Sequence, residues 1–373
     1  MGKKGAIRRF FAGGNTPEGF YSFYSQITPP DSNKIFVLKG GPGVGKSTFM
    51  RRIGEELVER GYDVEMLHCS SDPGSLDGLR VPAVDVTLID GTAPHVVDPR
   101  NPGAVDEIVH LGDYWDEAAL RANRDHIIGL NREIGRLFAR AYDNLRAAKA
   151  FYDELETYSR LATNPHWLNA KAEDLRVEIF GSKRLNRAGR ERHLFGGAIT
   201  PEGPMNFLDS LVGPVTRRYI WTGAPGTGKT PMIRKLAEAA VQKGYFVEFF
   251  HCPMNPSRVD HAVIPELNVA LISSIEPHVY ATRLGDVVID TDAYTDQSLL
   301  EPHREDMAAA EAAYKAALNR GVGFLKRAKA AHDRLESYYV PNIRFDQVEE
   351  RRRQVLDRIL ELSEERKPAG VAD

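Results

Sequence analysis

The sequence predicts an α/β protein of two tandem domains, each with a doubly wound parallel sheet and a long helical-hairpin arm. Three observations lead to this prediction. A glycine-rich motif occurs twice, each time between a strand-like and a helix-like segment. The residues around the motif recur in the same order in both halves of the chain. Each half ends in a long segment whose apolar residues recur at intervals of three and four, which is typical of helices.

The first motif runs from Gly40 to Ser47 and fits G-x-x-x-x-G-K-[ST]. The apolar run 34–39 before it predicts a buried strand, and 48–60 after it predicts a helix. Strand, glycine loop and helix are the arrangement of a phosphate-binding loop, or P-loop. In such loops, backbone N–H groups surround phosphate oxygens, the lysine reaches the terminal phosphates, and the hydroxyl ligates Mg²⁺.

The second motif, Gly223 to Thr230, follows the strand-like run 219–222 and fits the same pattern. We therefore predict two nucleotide sites with ATP and Mg²⁺ as cofactors. No Asn/Thr-Lys-x-Asp signature for guanine is present, which favours ATP over GTP. The predicted nucleotide-binding residues are Gly41, Pro42, Gly43, Val44, Gly45, Lys46, Ser47 and Thr48 in the first site and Ala224, Pro225, Gly226, Thr227, Gly228, Lys229 and Thr230 in the second.

Acidic residues at strand ends are the candidates for the magnesium shell. Asp90 ends the apolar run 86–90, so we assign it, with Ser47, to the metal in the first half. The residue aligned with it in the second half is Ser273, and Asp290 is the predicted substitute, with Asp292 close by. Lys46, Asp90, Lys229 and Asp290 form the predicted catalytic set, and Thr230 is the predicted metal ligand of the second site. We expect the first half to be better equipped for hydrolysis.

Other polar residues leave alternatives open. The catalytic base has several candidates: Asp72, Asp90 and Asp113 in the first half and Glu276, Asp290 and Asp292 in the second. Arg80 and Arg258 could each reach a γ-phosphate, although ordinary ion pairs are the favoured interpretation. His68-Cys69 with His95, and His251-Cys252 with His278, could bind a metal or supply a reactive thiol. Because no regular metal-ligand spacing occurs, the sequence favours a packing role.

The tandem organisation follows from one constant offset. The spacing between Lys46 and Lys229 also relates the segments 61–69 and 244–252, both of which end in His-Cys. We predict repeats over 1–188 and 189–373. In each, Thr-Pro-Glu-Gly predicts a capped start of a short helix, over 20–27 in the first repeat and 205–212 in the second.

The arms are predicted at about 116–180 and 296–366. In the first, a helix over 116–161 would return over 169–180 as an antiparallel coiled coil. In the second, a helix over 297–339, bent near 321–323, would return over 345–365. Acidic residues alternate with Arg132, Arg136 and Arg140, which favours a solvated face over a nucleic-acid surface. We expect the arms to contact a protein partner.

Composition narrows the class of protein. The net charge is −3, so no overall field favours nucleic acid or membrane. No apolar run is long enough to span a bilayer, and the first residues show no apolar signal region. The two cysteines occupy equivalent positions in the two halves, which suggests reduced thiols. We expect a cytoplasmic protein.

Thr-Pro-Glu-Gly, the P-loop and Gly-Tyr-x-Val-Glu-x-x-His-Cys, each present twice, resemble a family of uncharacterised bacterial tandem P-loop ATPases. The run from Asp90 to Pro99 looks like that family's pattern. The resemblance covers essentially the whole chain and implies a cytoplasmic ATP-binding protein with two P-loop lobes. It brings no known substrate. A small-molecule or nucleotide kinase and a nucleotide-gated scaffold or nucleic-acid-binding module with little turnover are the alternatives.

Overall fold

The computed structural model describes residues 3–29, 31–93 and 96–366. They form two compact units. Unit 1 takes its described residues from 1–12, 22–138 and 326–373, and unit 2 consists of 13–21 and 139–325. Each unit therefore combines segments from both sequence halves. The tandem repeats 1–188 and 189–373 are a statement about sequence and stay a prediction.

The elements are numbered in chain order. The strands of the first half are β1 Ile7–Phe11, β2 Gly13–Thr16, β3 Gly19–Ser22, β4 Lys34–Lys39, β5 Val64–Cys69, β6 Asp72–Val81, β7 Val86–Asp90 and β8 Asp106–His110. Those of the second half are β9 Arg190–Phe195, β10 Gly197–Thr200, β11 Gly203–Asn206, β12 Arg217–Thr222, β13 Phe246–Cys252, β14 Asn255–Ile264, β15 Val269–Ser273 and β16 Val287–Asp290. The α-helices are α1 Lys46–Glu59, α2 Glu117–Ala122, α3 Arg124–Ala162, α4 Pro165–Phe180, α5 Leu208–Val212, α6 Lys229–Gln242, α7 Gln297–Leu300, α8 Arg304–Tyr339 and α9 Phe345–Glu365.

The sheet of unit 1 has the strand order β1-β5-β6-β7-β4-β8. The β1–β5, β7–β4 and β4–β8 pairs are parallel, whereas β6 runs antiparallel to both β5 and β7. The strand before the P-loop, β4, therefore lies between β7 and β8, and its four central residues are buried. This parallel pairing brings the ends of β7 and β8 to the same edge as the P-loop.

The sheet of unit 2 has the corresponding order β9-β13-β14-β15-β12-β16. Here too the pairs next to the P-loop strand, β12–β15 and β12–β16, are parallel, and β14 is antiparallel to both neighbours. The fold is thus α/β, with mixed, largely parallel strands. The prediction of doubly wound parallel sheets is wrong in one respect. Pro, Asp and Gly residues after β5 and β13 predict a loop in each half, whereas these segments are the ten-residue antiparallel strands β6 and β14.

The helices that complete each core come from the other half of the sequence. In unit 1, α9 packs on α1 and contributes Val355, Leu356 and Ile359 to the main apolar core. In unit 2, α4 packs on α6 and contributes Leu175 and Phe180. The burial of these apolar surfaces is the main stabilising contribution of both helices.

The long helices α3 and α8 pack together within each unit. In unit 1, Ile127 and Leu130 of α3 meet Leu335 of α8. In unit 2, Gly321 of α8 allows close approach, because a Cβ atom there would lie 3.1 Å from the side chain of Leu145 on α3. The return helix α9 has the predicted bounds, and α8 continues without interruption through 321–323. Both outgoing helices begin later than predicted, because a break at Asn123 separates α2 from α3 and a 3-10 turn at Glu301–His303 separates α7 from α8. The arms also pair differently from the predicted hairpins, since α3 packs on α8, α4 on α6 and α9 on α1.

The Thr-Pro-Glu-Gly segments form hairpin turns, so the prediction that they start helices is wrong. Thr16 Oγ1 donates to the Gly19 carbonyl at 2.8 Å and accepts from the Glu18 N–H at 3.1 Å, between β2 and β3. Gly19 has φ +103°, which glycine adopts without strain. Thr200 makes the same contacts between β10 and β11. The short helix predicted over 20–27 is a 3-10 turn at Tyr24–Gln26, and the one predicted over 205–212 is the five-residue helix α5. Among the described residues, no helix combines the length and apolar character needed to cross a membrane.

Candidate functional site

The first P-loop connects β4 to α1. Gly41, Pro42, Gly43, Val44 and Gly45 form the turn, and Lys46, Ser47 and Thr48 make up the first turn of α1. Gly45 precedes the helix in the left-handed region, with φ +89°, and supplies no side-chain cap. The first N–H groups of α1 therefore have no side-chain acceptor at this position and can bind an anion.

Lys46 folds back over its own loop. Its Nζ donates to the carbonyl oxygens of Gly40 and Gly41, at 2.9 Å each. It also lies 3.6 Å from a carboxylate oxygen of Asp90, which ends the neighbouring strand β7. The side chains of Lys46 and Asp90 are 12% and 15% exposed. The ammonium group is thus held at the mouth of the loop, where it can exchange carbonyl oxygens for phosphate oxygens.

The second P-loop, between β12 and α6, has the same geometry. Ala224, Pro225, Gly226, Thr227 and Gly228 form the turn, and Lys229 and Thr230 open α6. Gly228 has φ +93° and again provides no side-chain cap. Lys229 Nζ donates to the carbonyls of Gly223 and Ala224, at 2.7 and 2.6 Å. The sequence-predicted residues of both loops are therefore brought together, and both loops fit a phosphate group at a helix N-terminus.

Burial distinguishes the second lysine. Lys229 is only 5% exposed. Burial lowers the pKa of its ammonium group to about 8, although the nearby carboxylate of Asp292 acts in the opposite direction. A bound phosphate would compensate the desolvation of this charge, because opposite charges at short range favour the protonated form.

The two proposed metal hydroxyls have different partners. Ser47 Oγ accepts a hydrogen bond from the Leu76 N–H at 2.9 Å, in the middle of β6. Thr230 Oγ1 accepts from the Arg258 guanidinium at 3.1 Å, at the start of β14. In unit 1 the hydroxyl thus meets a neutral backbone group, whereas in unit 2 it meets a positive charge.

The acidic groups of unit 2 are arranged differently from Asp90. Asp290, at the end of β16, is exposed, and its carboxylate caps the following turn by accepting from the Asp292 N–H at 3.0 Å. Asp292 is the acid that reaches the loop, because its Oδ1 accepts from the Ala224 N–H at 2.9 Å. Ser273, aligned with Asp90, is buried at the end of β15.

Segments of the long helices and the turns after them cover both loops. In unit 1 the cover consists of Glu336, Tyr339, Val340 and Phe345. A Cβ atom on Gly41 would lie 2.8 Å from the Tyr339 ring, and one on Gly43 would lie 2.9 Å from Val340. In unit 2 the cover consists of Glu156 and Leu168. A Cβ atom on Gly226 would lie 2.3 Å from the Glu156 carbonyl oxygen, and one on Gly228 would lie 2.3 Å from Leu168 Cδ1.

These covering residues were missed by sequence reasoning, although one signal was present. Glu156 follows Lys149 and Asp153 at the spacing at which Glu336 follows Lys329 and Asp333. The repeated spacing marks equivalent positions but does not say what they touch. Contact with a P-loop follows only from the path of the helices.

The other base candidates lie in surface networks. Asp72 accepts from the Ser75 hydroxyl at 2.7 Å and lies 3.8 Å from Lys329 Nζ. Asp113 is exposed beside His110, at 2.8 Å, and Glu276 is exposed. Arg80 makes ion pairs with Glu65 and Asp85, at 3.8 and 3.2 Å, and these pairs fix it between β5 and β7.

The His-Cys pairs are buried in the sheets. Burial raises the pKa of both the Cys69 and the Cys252 thiol above its usual range, which disfavours the reactive thiolate. His68 and His251 each donate through Nδ1 to a backbone carbonyl at the start of the next strand, that of Pro73 in β6 and that of Pro256 in β14. His278 is buried as well, and His95 lies outside the described residues. This environment is that of packing residues.

Among the described residues, one group of side chains has the proximity needed for a metal ion: His332, Asp333 and Glu336 on α8. Asp333 is paired with Lys329 at 2.5 Å, so its charge is already compensated. The two P-loops are therefore the sites whose residue types and geometry agree with one chemistry, the binding of a phosphate group. No family model, curated protein or solved structure matches this chain in the comparisons, so the interpretation of the site depends on the geometry described above.

Proposed function

We propose that this chain binds ATP with Mg²⁺ at both P-loops and hydrolyses it, chiefly at the loop of unit 1. The observation that carries the proposal is the pair of loops themselves. In each, a lysine at the first position of a helix lies on the carbonyls of its own glycine loop, and the helix has no side-chain cap. Both features suit a triphosphate at a helix N-terminus.

Each residue has a defined part in this proposal. The loop N–H groups and Lys46 bind the β- and γ-phosphates in unit 1, and Lys229 does so in unit 2. Ser47 and Thr230 provide hydroxyl ligands for Mg²⁺, which neutralises charge on the phosphate oxygens during transfer. Asp90 lies close enough to Lys46 to act in the outer shell of the metal and to orient the lysine.

The difference between the loops supports unequal turnover. In unit 2 the Ala224 N–H already donates to Asp292, and Lys229 is buried. The Ala224 N–H must give up Asp292 before it can serve a phosphate. Lys229 is buried, whereas Lys46 is partly exposed at the mouth of its loop. We therefore assign rapid hydrolysis to unit 1 and slow or absent hydrolysis to unit 2, which would act mainly as a nucleotide-dependent binding module.

The contacts of α3 and α8 with the P-loops couple nucleotide binding to a movement of these helices in this proposal. Glu336 and Tyr339 of α8 cover the loop of unit 1, and Glu156 of α3 covers that of unit 2. A nucleotide that alters these contacts would shift the helices, since interaction energy that differs between two positions changes their populations. We propose that a cytoplasmic protein partner binds the helices in one nucleotide state.

The test combines stoichiometry and turnover on one purified sample. Bound nucleotide per chain is measured first, and ADP release with ATP and Mg²⁺ second. We expect two nucleotides per chain, most turnover lost in Lys46→Ala and less lost in Lys229→Ala. A greater loss in Lys229→Ala would refute the assignment of hydrolysis to unit 1.

The same measurements separate the other two functions. A kinase would release much more ADP once its small-molecule acceptor is added, whereas the proposed ATPase would be indifferent to such molecules. Two tightly bound nucleotides with negligible turnover would indicate a nucleotide-gated scaffold. Absence of bound nucleotide in the presence of Mg²⁺ would reject nucleotide binding altogether.

A further inference from the structure

An ion pair joins helix α3 to strand β14 beside the P-loop of unit 2. The Arg258 guanidinium at the start of β14 pairs with the Glu156 carboxylate of α3. The two side chains are 22% and 12% exposed. A charge pair so shielded from water is screened less than a surface pair, and removing one partner leaves the other poorly solvated.

The same guanidinium lies beside the site proposed for phosphate and metal. Its Nη2 donates to Thr230 Oγ1 at 3.1 Å. Arg258 therefore contacts the hydroxyl that we assign to Mg²⁺ and a carboxylate of the helix that covers the loop. It is placed to respond to whatever binds at Thr230.

The contact between helix and loop is tight. The Glu156 carbonyl oxygen would lie 2.3 Å from a Cβ atom on Gly226, whose φ is +84°. Only glycine leaves room for the helix backbone at this point. The contact between α3 and the P-loop of unit 2 thus depends both on the close approach of their backbones and on the Arg258–Glu156 ion pair.

We propose that Arg258 is a phosphate-sensing residue that exchanges Glu156 for the γ-phosphate and so releases α3 from the loop. A terminal phosphate carries more charge than a carboxylate and offers several oxygens to the planar guanidinium. The inference rests on the proposed nucleotide binding and adds the means by which binding at unit 2 moves a helix.

The corresponding positions of unit 1 hold no arginine–glutamate pair. The residue aligned with Arg258 is Ser75, whose hydroxyl donates to Asp72. The residue aligned with Glu156 is Glu336, which lies against Gly43 and has His332 3.7 Å away. The two halves therefore share the covering glutamate, and the charge that could release it upon phosphate binding occurs in unit 2.

The experiment measures amide hydrogen exchange over residues 150–162 in the full chain, with and without the non-hydrolysable analogue AMP-PNP and Mg²⁺. In the unmodified protein we expect the analogue to raise the exchange rate of these amides about tenfold, within the usual range of coupling between sites. Glu156→Gln should raise it to a similar extent without the analogue. Glu238→Gln, which removes a carboxylate paired with Arg234 on α6, is the matched control and should leave it unchanged.

Arg258→Ala should also raise the exchange rate without the analogue, weaken binding at unit 2 about tenfold, and abolish the further response to AMP-PNP. In the Arg258→Ala background, Glu156→Gln should have no additional effect on affinity. The proposal is overturned if AMP-PNP slows amide exchange over 150–162 of the unmodified protein or leaves it unchanged. It is also overturned if the effects of Arg258→Ala and Glu156→Gln on the affinity for AMP-PNP are additive.

These readouts separate the inference from the function on which it rests. If the unmodified protein binds no AMP-PNP, nucleotide binding is rejected and phosphate sensing is rejected with it. The exchange rate of Glu156→Gln without any analogue still decides whether the ion pair holds α3. If binding occurs but exchange does not respond, the proposed function stands and only the sensing role of Arg258 is refuted.

Discussion

Lys46 Nζ at the start of α1 and the Asp90 carboxylate at the end of β7 lie 3.6 Å apart in unit 1. The distance allows a direct electrostatic contact across the mouth of the P-loop. Asp90 also accepts from the Thr92 N–H at 2.8 Å, so its carboxylate is fixed on two sides. The carboxylate of Asp90 therefore both caps the turn after β7 and contacts the lysine of the P-loop.

Replacing Asp90 should impair turnover far more than binding. We expect Asp90→Asn to lower kcat for ATP about a hundredfold, a loss typical of one removed electrostatic group, while the affinity for AMP-PNP changes little. Steady-state kinetics with an equilibrium binding assay checks this. Asp98→Asn, an exposed acid paired with Lys39, is the control. An unchanged kcat in Asp90→Asn would remove this residue from the site.

Nucleotide binding at unit 2 should depend on pH. The pKa of Lys229 is about 8, so the free site holds a charged lysine below pH 8 and loses the charge above it. A bound triphosphate favours the protonated form, and binding above pH 8 must therefore take up a proton. We expect the Kd to rise about tenfold per pH unit above pH 8, measured with AMP-PNP in Lys46→Ala.

Lys229→Arg is the matched variant for this dependence, because arginine stays charged throughout the range. It should bind with little change between pH 7 and 9.5. A Kd that is equally flat in the Lys46→Ala protein would contradict the role of Lys229 in phosphate binding.

The stability of unit 2 should fall in mild acid. Burial lowers the pKa of His251, His261 and His278 to about 4, whereas Asp260 acts against this shift. Between pH 6.5 and 4 the unfolded chain binds more protons, so the free energy of unfolding is fully present above pH 6.5 and is lost as the pH falls. We expect a loss on the order of 1 kcal/mol for each histidine by pH 5.

Urea unfolding at pH 7 and pH 5 measures this loss. His278→Leu should reduce the difference between the two pH values, since neither ring nitrogen of His278 has a hydrogen-bond partner among the described residues. His166→Gln, which replaces an exposed histidine on α4, should not. Equal pH dependence in His278→Leu and the unmodified protein would show that the pKa of His278 does not differ between the folded and unfolded states.

Substitutions at two nearby glycines of α8 should change the stability of the protein in opposite directions. Gly321 faces Leu145 and the Ala141 carbonyl, and a Cβ atom there would lie 3.1 and 3.4 Å from them. Gly323→Ala meets nothing within 4 Å and should stabilise the protein by about 0.5–1 kcal/mol. Gly321→Val should destabilise it by about 1–3 kcal/mol because it crowds α3. Thermal unfolding of both variants would test this packing, and a stable Gly321→Val would disprove the close approach.

Local chemistry made part of this architecture predictable. The P-loops, their strands and α9 follow from residue patterns that act over a few positions. The strands β6 and β14 were missed because each begins with turn-forming residues, as in Asp72-Pro73-Gly74-Ser75, although buried residues follow. The hairpin turns were missed because the same threonine contact occurs in two structures. In a helix cap and in such a turn alike, the hydroxyl accepts a hydrogen bond from the N–H of the second residue after it.

The candidate site shows the same limit. Lys46, Ser47 and Asp90 could be assigned because a motif and a strand end mark them. Glu156, Leu168 and Tyr339 could not, since their contacts with the loops depend on where long helices pass. Arg258 was visible as a phosphate-binding candidate, but its partners Thr230 and Glu156 are separated from it by 28 and 102 positions in the chain.

The exchange of covering helices has a consequence for biosynthesis. The core of unit 1 contains strands from the start of the chain and α9 from residues 345–365. A ribosome that has made only the first half has therefore produced the sheet and α1 without the apolar face of α9 that completes their core. We expect this sheet to remain exposed to chaperones until α9 emerges, because contacts of such sequence separation form late. Folding of unit 1 would then be completed only once α9 has left the ribosome, as one event involving both halves of the sequence.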